Sequence, residues 1–220
     1  MSLKTRSRKT FFFFILLGFV LVVLLLSHKT IFTEAGKFLS PEGAGNADVV
    51  ILECSDSIRG QGAEIGISLL SSKRANRLII AYHNSEKEQI FDRPINYNLL
   101  IQKLEKLGLQ KDQVQVIGVT IGHPITLTEA QIVLSHLSKD GVKTAILLAE
   151  GFHTRRSYWT YKNVGLLVGI KIIPYPYFTT YENKNWWQEI RGVEAFVDEL
   201  LKFLYYLLRG YIPVKSLLVT

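Results

Sequence analysis

Ala145-Ile-Leu-Leu-Ala-Glu-Gly-Phe-His-Thr-Arg-Arg-Ser157 decides the reading of the fold. Its first five residues are an unbroken apolar run, the pattern of a strand buried on both faces of a parallel sheet. It then turns polar and opens a helix, with Thr154 as the expected cap and His153, Arg155 and Arg156 beside it. In open α/β sheets, ligands bind where loops leave the carboxyl ends of strands, and helix N-termini there attract anions. A site is therefore expected at this junction.

Outward from it, apolar runs alternate with helical patterns. Strands are expected at Ala47–Leu52, Arg77–Ala81, Val114–Val119, Ala145–Ala149 and Ile170–Ile173, the last stopped by Pro174. Helices are expected at Ile58–Ser71, Ile95–Leu107, Thr128–Leu137, Thr154–Val164 and Gly192–Leu208. Strands separated by helices imply parallel pairing through crossovers. The predicted fold class is α/β: a three-layer Rossmann-like sandwich with a mostly parallel five-stranded sheet, preceded by one N-terminal transmembrane helix. The final helix is expected to cover the sheet, with membrane-interface contact through Phe203–Leu208 as the other reading.

The charge is unevenly spread. Of the formal +7, Lys4, Arg6, Arg8, Lys9 and Lys29 supply five before the first acidic residue, Glu34, which leaves +2 for the rest. So neutral a remainder argues against nucleic acid as a partner. Thr10–Ser27 holds no charged side chain, and Phe11–Leu26 is apolar apart from Gly18. At 1.5 Å per residue, about 18 helical residues reach roughly 27 Å, enough for a hydrocarbon core. The preceding positive charges place residues 1–9 on the cytoplasmic side. No Ala-x-Ala-like cleavage site follows, so an uncleaved anchor is expected over residues 10–27 rather than a signal peptide. Residues 28–46, with Pro41, Gly43 and Gly45, read as a linker, 47–210 as the α/β domain and 211–220 as a tail. The single cysteine, Cys54, leaves the domain without an internal disulfide.

Polar residues gather at the expected strand ends: Glu53 to Asp56 and Arg59; Tyr82 to Asn84; Thr120, His123, Thr126, Thr128 and Glu129; Glu150, His153, Arg155 and Arg156. Parallel strands bring these loops to one edge. His153 suits acid/base work, Arg155 or Arg156 an anion clamp, and Glu53, Asp56 and Glu129 orienting or proton-handling roles. Thr126 and Thr128 join Asp56 and the arginines as ligand-binding candidates, although Thr128 and Glu129 also fit a helix cap. Neighbouring helical residues point about 100° apart, so one arginine is expected to face the cleft. Gly60-x-Gly62-x-x-x-Gly66 lacks a glycine at the strand's end and reads as close helix–sheet packing more than as a nucleotide turn. No metal-ligand spacing links Glu53, Asp56, His83, His123 and His153, and no metal is assigned. Cys54 lacks an evident base, and no Gly-x-Ser-x-Gly elbow is present. Trp186 and Trp187 are read as a packing patch near the final helix, with a lid over the cleft as the other reading.

Gly151-Phe-His-Thr-Arg-Arg-Ser157 resembles the Ser-x-Phe-His-x-x-Arg segment of the YdcF-like family, a domain of unknown function that includes SanA and ElyC. Thr126-x-x-Glu129-Ala130 is similar to its Asn-Thr-x-x-Glu-Ala motif. Val50–Glu53 resembles the first strand of its Val-Glu-Gly-Trp subgroup, and Asn185-Trp186-Trp187 with Gly192 that subgroup's tail. The resemblance covers about Ala47 to Gly210. Ile125 stands where the motif has asparagine, and Cys54-Ser55-Asp56 and Tyr82-His83-Asn84 stand where many members carry glycines. The resemblance implies a Rossmann-like fold, anchorage at the inner (cytoplasmic) membrane with the domain outside, and a link to envelope integrity, peptidoglycan or lipid-carrier metabolism and drug resistance. It leaves the cofactor unknown; one cytoplasmic-type member is associated with S-adenosylmethionine. The leading expectation is an envelope protein that binds or processes an anionic envelope precursor, such as a lipid-linked phosphate or sugar. The alternatives are a non-catalytic scaffold recruiting other envelope proteins through Trp186, Trp187 and Tyr175–Tyr177, and a nucleotide- or S-adenosylmethionine-binding transferase.

Overall fold

The computed structural model describes residues 3–53, 61–84, 102, 105–106, 108–120 and 122–218. Five strands, β1 (Val49–Leu52), β2 (Arg77–Asn84), β3 (Val114–Thr120), β4 (Thr144–Glu150) and β5 (Lys171–Tyr177), form one sheet in the order β3-β2-β1-β4-β5. Every pairing is parallel, with Val49 opposite Arg77 on one side and Ala145 on the other. The chain is thus a Rossmann-like α/β protein. Its sheet reverses direction of growth between β1 and β4, and the carboxyl ends of the strands at such a switch point are where open α/β sheets bind ligands.

Alternate residues of the central strands enter two cores. Val49, Ile51, Ile79, Ala145 and Leu147 pack under helices α3 (Ile125–Lys139) and α4 (Thr154–Val168). Val50, Leu52, Leu78, Ile146 and Leu148 pack under α2 (Gly62–Ser71) on the other face. All four β1 residues are buried, as an all-apolar central strand requires. A Cβ on Gly62 would stand 2.8 Å from Leu52 and 2.9 Å from the Tyr177 hydroxyl, and one on Gly66 2.9 Å from Leu78. Both glycines therefore let α2 sit close on the sheet. Gly60, the expected helix start at Ile58 and the expected helix Ile95–Leu107 fall wholly or largely outside the described residues.

β5 corrects the expectation that Pro174 stops the last strand: it runs on through Pro174 and Pro176 to Tyr177. It is an edge strand, where a missing N–H on the outer side breaks no ladder. α3 begins at Ile125, three residues before the expected start, with Pro124 as its N-cap and no side-chain cap. Thr128 lies inside the first turn and donates to the Pro124 carbonyl at 3.2 Å instead of capping.

The largest correction lies at the N-terminus. A single helix, α1, runs Leu3–Leu39, so the expected linker begins after Leu39 instead of at residue 28. Ile31, Phe32, Ala35, Phe38 and Leu39 recur at helical spacing, and the helix stops before Pro41. Its end docks on the domain. Leu39 is fully buried with Phe152 and Trp186, the Trp186 indole donates to the Phe32 carbonyl at 2.9 Å, and Asn183 donates to Ser40 Oγ at 2.9 Å. The side chains of Phe11 to Leu17 are all exposed. Among the described residues no helix is long and apolar enough to cross a membrane. The expected span 10–27 falls within α1, and its side chains at 10, 20–21 and 24–26 lie outside the described ones.

The final helix, α5 (Ile190–Leu208), also departs from expectation. Phe196, Leu200, Phe203 and Tyr206 pack toward α1, α4 and Trp186, while Ile190, Val193, Val197, Leu201, Leu204 and Leu208 remain exposed along one stripe. Instead of covering the sheet, α5 caps the edge of the α3–α4 layer.

Candidate acid–base site at the switch point

β1 delivers Glu53 and β4 delivers the turn Gly151–His153 to the two sides of the switch point. Gly151 takes a positive φ of 52°, which folds the chain from strand into helix within one 3-10 turn. Thr154 locks that turn by donating to the carbonyls of Ala149 (3.2 Å) and Gly151 (2.7 Å). Its hydroxyl thus ties strand to helix and does not cap α4.

Three side chains then converge. Ser157 Oγ donates to Glu53 Oε1 at 2.6 Å and lies 2.8 Å from His153 Nε2. Glu53 Oε2 is 3.6 Å from that same nitrogen. Because the serine proton goes to Glu53, Nε2 carries the ring hydrogen and donates to the serine. On the other side of the ring, Arg156 Nη2 donates to Nδ1 at 2.7 Å, and Glu199 Oε2 of α5 waits 3.3 Å from Nδ1. Arg156 reaches both Glu199 oxygens (2.9 and 3.0 Å) and donates to Thr126 Oγ1 at 2.9 Å.

The electrostatics follow from burial and neighbours. Burial, with the charge of Glu129 nearby, pushes Glu53 up to about 7 against the pull of His153, Ser157 and Arg156. His153 is held down by burial and Arg156, but Glu199 and Glu53 outweigh them and raise it. Glu199 is opposed by burial yet lies well below the usual carboxylate range, because His153 and Arg156 bind its charged form. A carboxyl raised by burial, in contact with an imidazole raised by its carboxylate neighbours at a switch point, has the makings of a proton-handling pair.

The arginines part company. Arg155 is fully buried behind α4, donating to the carbonyls of Phe38 (2.7 Å) and Ser216, with its guanidinium 3.7 Å from the Phe38 ring centroid. It ties α1 and the C-terminal segment to the domain and forms no anion clamp in the crevice. Arg156 does face the site, but Glu199 neutralises its charge, so it orients His153 in place of clamping a ligand. Glu129 is buried beside the cluster with its own partners, His83 Nε2 at 2.5 Å and the Tyr161 hydroxyl at 2.7 Å, and does not cap α3. Asp56, Cys54 and Arg59 lie outside the described residues. Among the described residues, no group of three or more His, Cys, Asp or Glu side chains is arranged to hold a metal.

Ser157 and Glu199 are the members that sequence reasoning did not single out. Ser157 was legible, since i, i+4 spacing places it over His153 on one helix face. Glu199 comes from a helix whose docking no local pattern announces. Trp186 stacks on Phe196 at 4.1 Å between α1 and α5, so it is packing. No family model, curated protein or solved structure matches the chain.

Proposed function

We propose that the chain is a YdcF-like, membrane-anchored envelope protein whose switch-point site binds or processes an anionic envelope precursor outside the inner membrane. Glu53 and His153 act as its acid/base pair. The observation that carries the reading is the contact chain Glu53 Oε1–Ser157 Oγ–His153 Nε2, at 2.6 and 2.8 Å. His153 is the more open member, its side chain about a fifth exposed (22%) against 7% for Glu53. Its two ring nitrogens are held by Ser157 and Arg156, so a ligand reaches the imidazole by displacing one of them; the proton then passes between Nε2 and Glu53 directly or across Ser157 Oγ, whose own proton moves on as it accepts another. Arg156 and Glu199 hold the imidazole in one orientation. The motif residues behind the family resemblance, Glu53, Thr126, Glu129, His153 and Arg156, fall within this one neighbourhood, which supports the same reading. The anchor is supported by the uncharged stretch of residues 10–27 and by the exposure of Phe11–Leu17. Burial of Trp186 weighs against a scaffold built on that aromatic pair.

The test is genetic. In a strain that needs the protein, His153→Ala and Glu53→Gln chains made at normal levels fail to restore the envelope. Full rescue by both removes the acid–base role.

A further inference from the structure

Beside Arg156 lies a hollow of about 630 Å³ between the start of α3 and the C-terminal half of α5. That volume suits a small organic ligand. Arg156, Lys202 and Arg209 line it, no carboxylate does, and tyrosines including Tyr205 and Tyr211 form its walls. Two of the three cations are already answered: Arg156 by Glu199, and Lys202 by Asp198 and Glu199. Arg209 is exposed and hydrogen-bonds the side chain of Tyr211, whose ring centroid lies 6.0 Å from its guanidinium, but among the described residues no carboxylate pairs with it, so its charge is not neutralised. The same wall carries Pro124, Ile125 and Thr126, the first turn of the 15-residue α3, which has no side-chain cap. Its first N–H groups and the positive end of the helix add to the field of Arg209.

We propose that this hollow is a binding site for a phosphorylated ligand, distinct from the Glu53–His153 pair. Arg209 and the first turn of α3 hold the phosphate, and Tyr205 and Tyr211 cover the organic part. A phosphate suits the set because its several oxygens accept from a guanidinium fork and from helix N–H groups together. Tyrosine faces suit a sugar or another flat group attached to it. A soluble phosphate ester and a lipid headgroup share this chemistry, and the two arms of the test separate these sources.

The full chain in neutral detergent micelles is titrated at pH 7 with inorganic pyrophosphate in one arm and phosphatidylglycerol, mixed into the micelles, in the other. Saturable binding is expected in at least one arm, weakened about tenfold or more by Arg209→Glu and less by Arg209→Gln. Arg191→Glu makes the same charge change at the far end of α5 and leaves the affinity unchanged, as does Glu53→Gln. Pyrophosphate binding with that pattern identifies a soluble ligand; binding of phosphatidylglycerol alone identifies a headgroup. No saturable binding in either arm, or binding indifferent to Arg209, overturns the proposal. Loss in Glu53→Gln with Arg209→Glu unaffected also overturns it, by moving the anion to the switch-point crevice and leaving the acid–base reading intact.

Discussion

Arg155 and Arg156 are neighbours in the chain and opposites in the molecule. Arg155 turns outward from the crevice and spends its guanidinium on two backbone carbonyls and an aromatic face, where α1 and the C-terminal segment meet. Arg156 turns inward, pairs with Glu199 and holds His153. One serves docking and the other chemistry. Adjacent residues with the same charge thus carry separable roles because an α-helix rotates about 100° between them.

The strongest way to break this contrast is Glu199→Ala, which strands the Arg156 charge in a buried position. A loss of about 3–5 kcal/mol is expected in thermal or denaturant unfolding. The His153 titration followed by NMR should move down, since a carboxylate that raises it is gone. An unmoved imidazole would detach Glu199 from the site. Arg155→Ala comes next, at about 2–3 kcal/mol, because the Phe38 and Ser216 carbonyls lose their donor. Here the sign of success is selective: proteolysis near Leu39 accelerates while the His153 titration stays where it was. If both change together, the two roles are not separate.

Glu53→Gln sharpens the inward side. Folded protein keeps the Glu53 proton up to about pH 7, whereas an unfolded carboxyl releases it near its ordinary value of 4.5. The folded state binds more protons between those limits, so stability falls as pH rises from about 4.5 to 7. The raised His153 acts in the same sense: its contribution is complete below its unfolded value and lost as pH rises through the folded one. Glu199 acts in the opposite sense, its contribution present above the unfolded value and lost in acid. Glu53→Gln should flatten the fall in stability between about pH 4.5 and 7 by about 1–3 kcal/mol and leave the loss below pH 4.5, which belongs to Glu199, in place. A parent and variant with parallel pH–stability curves would place the Glu53 proton elsewhere. The smallest effect belongs to the docking side. Gly36→Ala puts a Cβ 2.4 Å from Asn183 Oδ1 and 2.9 Å from Trp186 Nε1. About 1 kcal/mol should be lost after a partial offset from helix propensity, with a blue or red shift of the Trp186 emission as the readout.

The docked end of α1 was half legible. Ile31, Phe32, Ala35, Phe38 and Leu39 carry a helical period, but Pro41, Gly43 and Gly45 just beyond them drew the reading toward a linker. A period shows that a face is apolar; it does not show what that face meets. Glu129 and Thr128 failed for a related reason. Capping is a local rule, and α3 starts three residues earlier on Pro124, which turns Glu129 toward His83 and Tyr161.

From sequence alone came the alternation of buried strands and helices, the convergence of strand ends, and the placing of His153 and the two arginines together after the fourth strand. These depend on local periodicity, which short-range sterics and burial dictate. Only the tertiary structure decided which arginine faces the crevice, that Ser157 bridges Glu53 to His153 across 104 residues, and that Glu199 closes the site from the last helix. Such contacts depend on how finished elements dock, and docking is chosen by the packing of whole faces, which no short stretch of residues encodes.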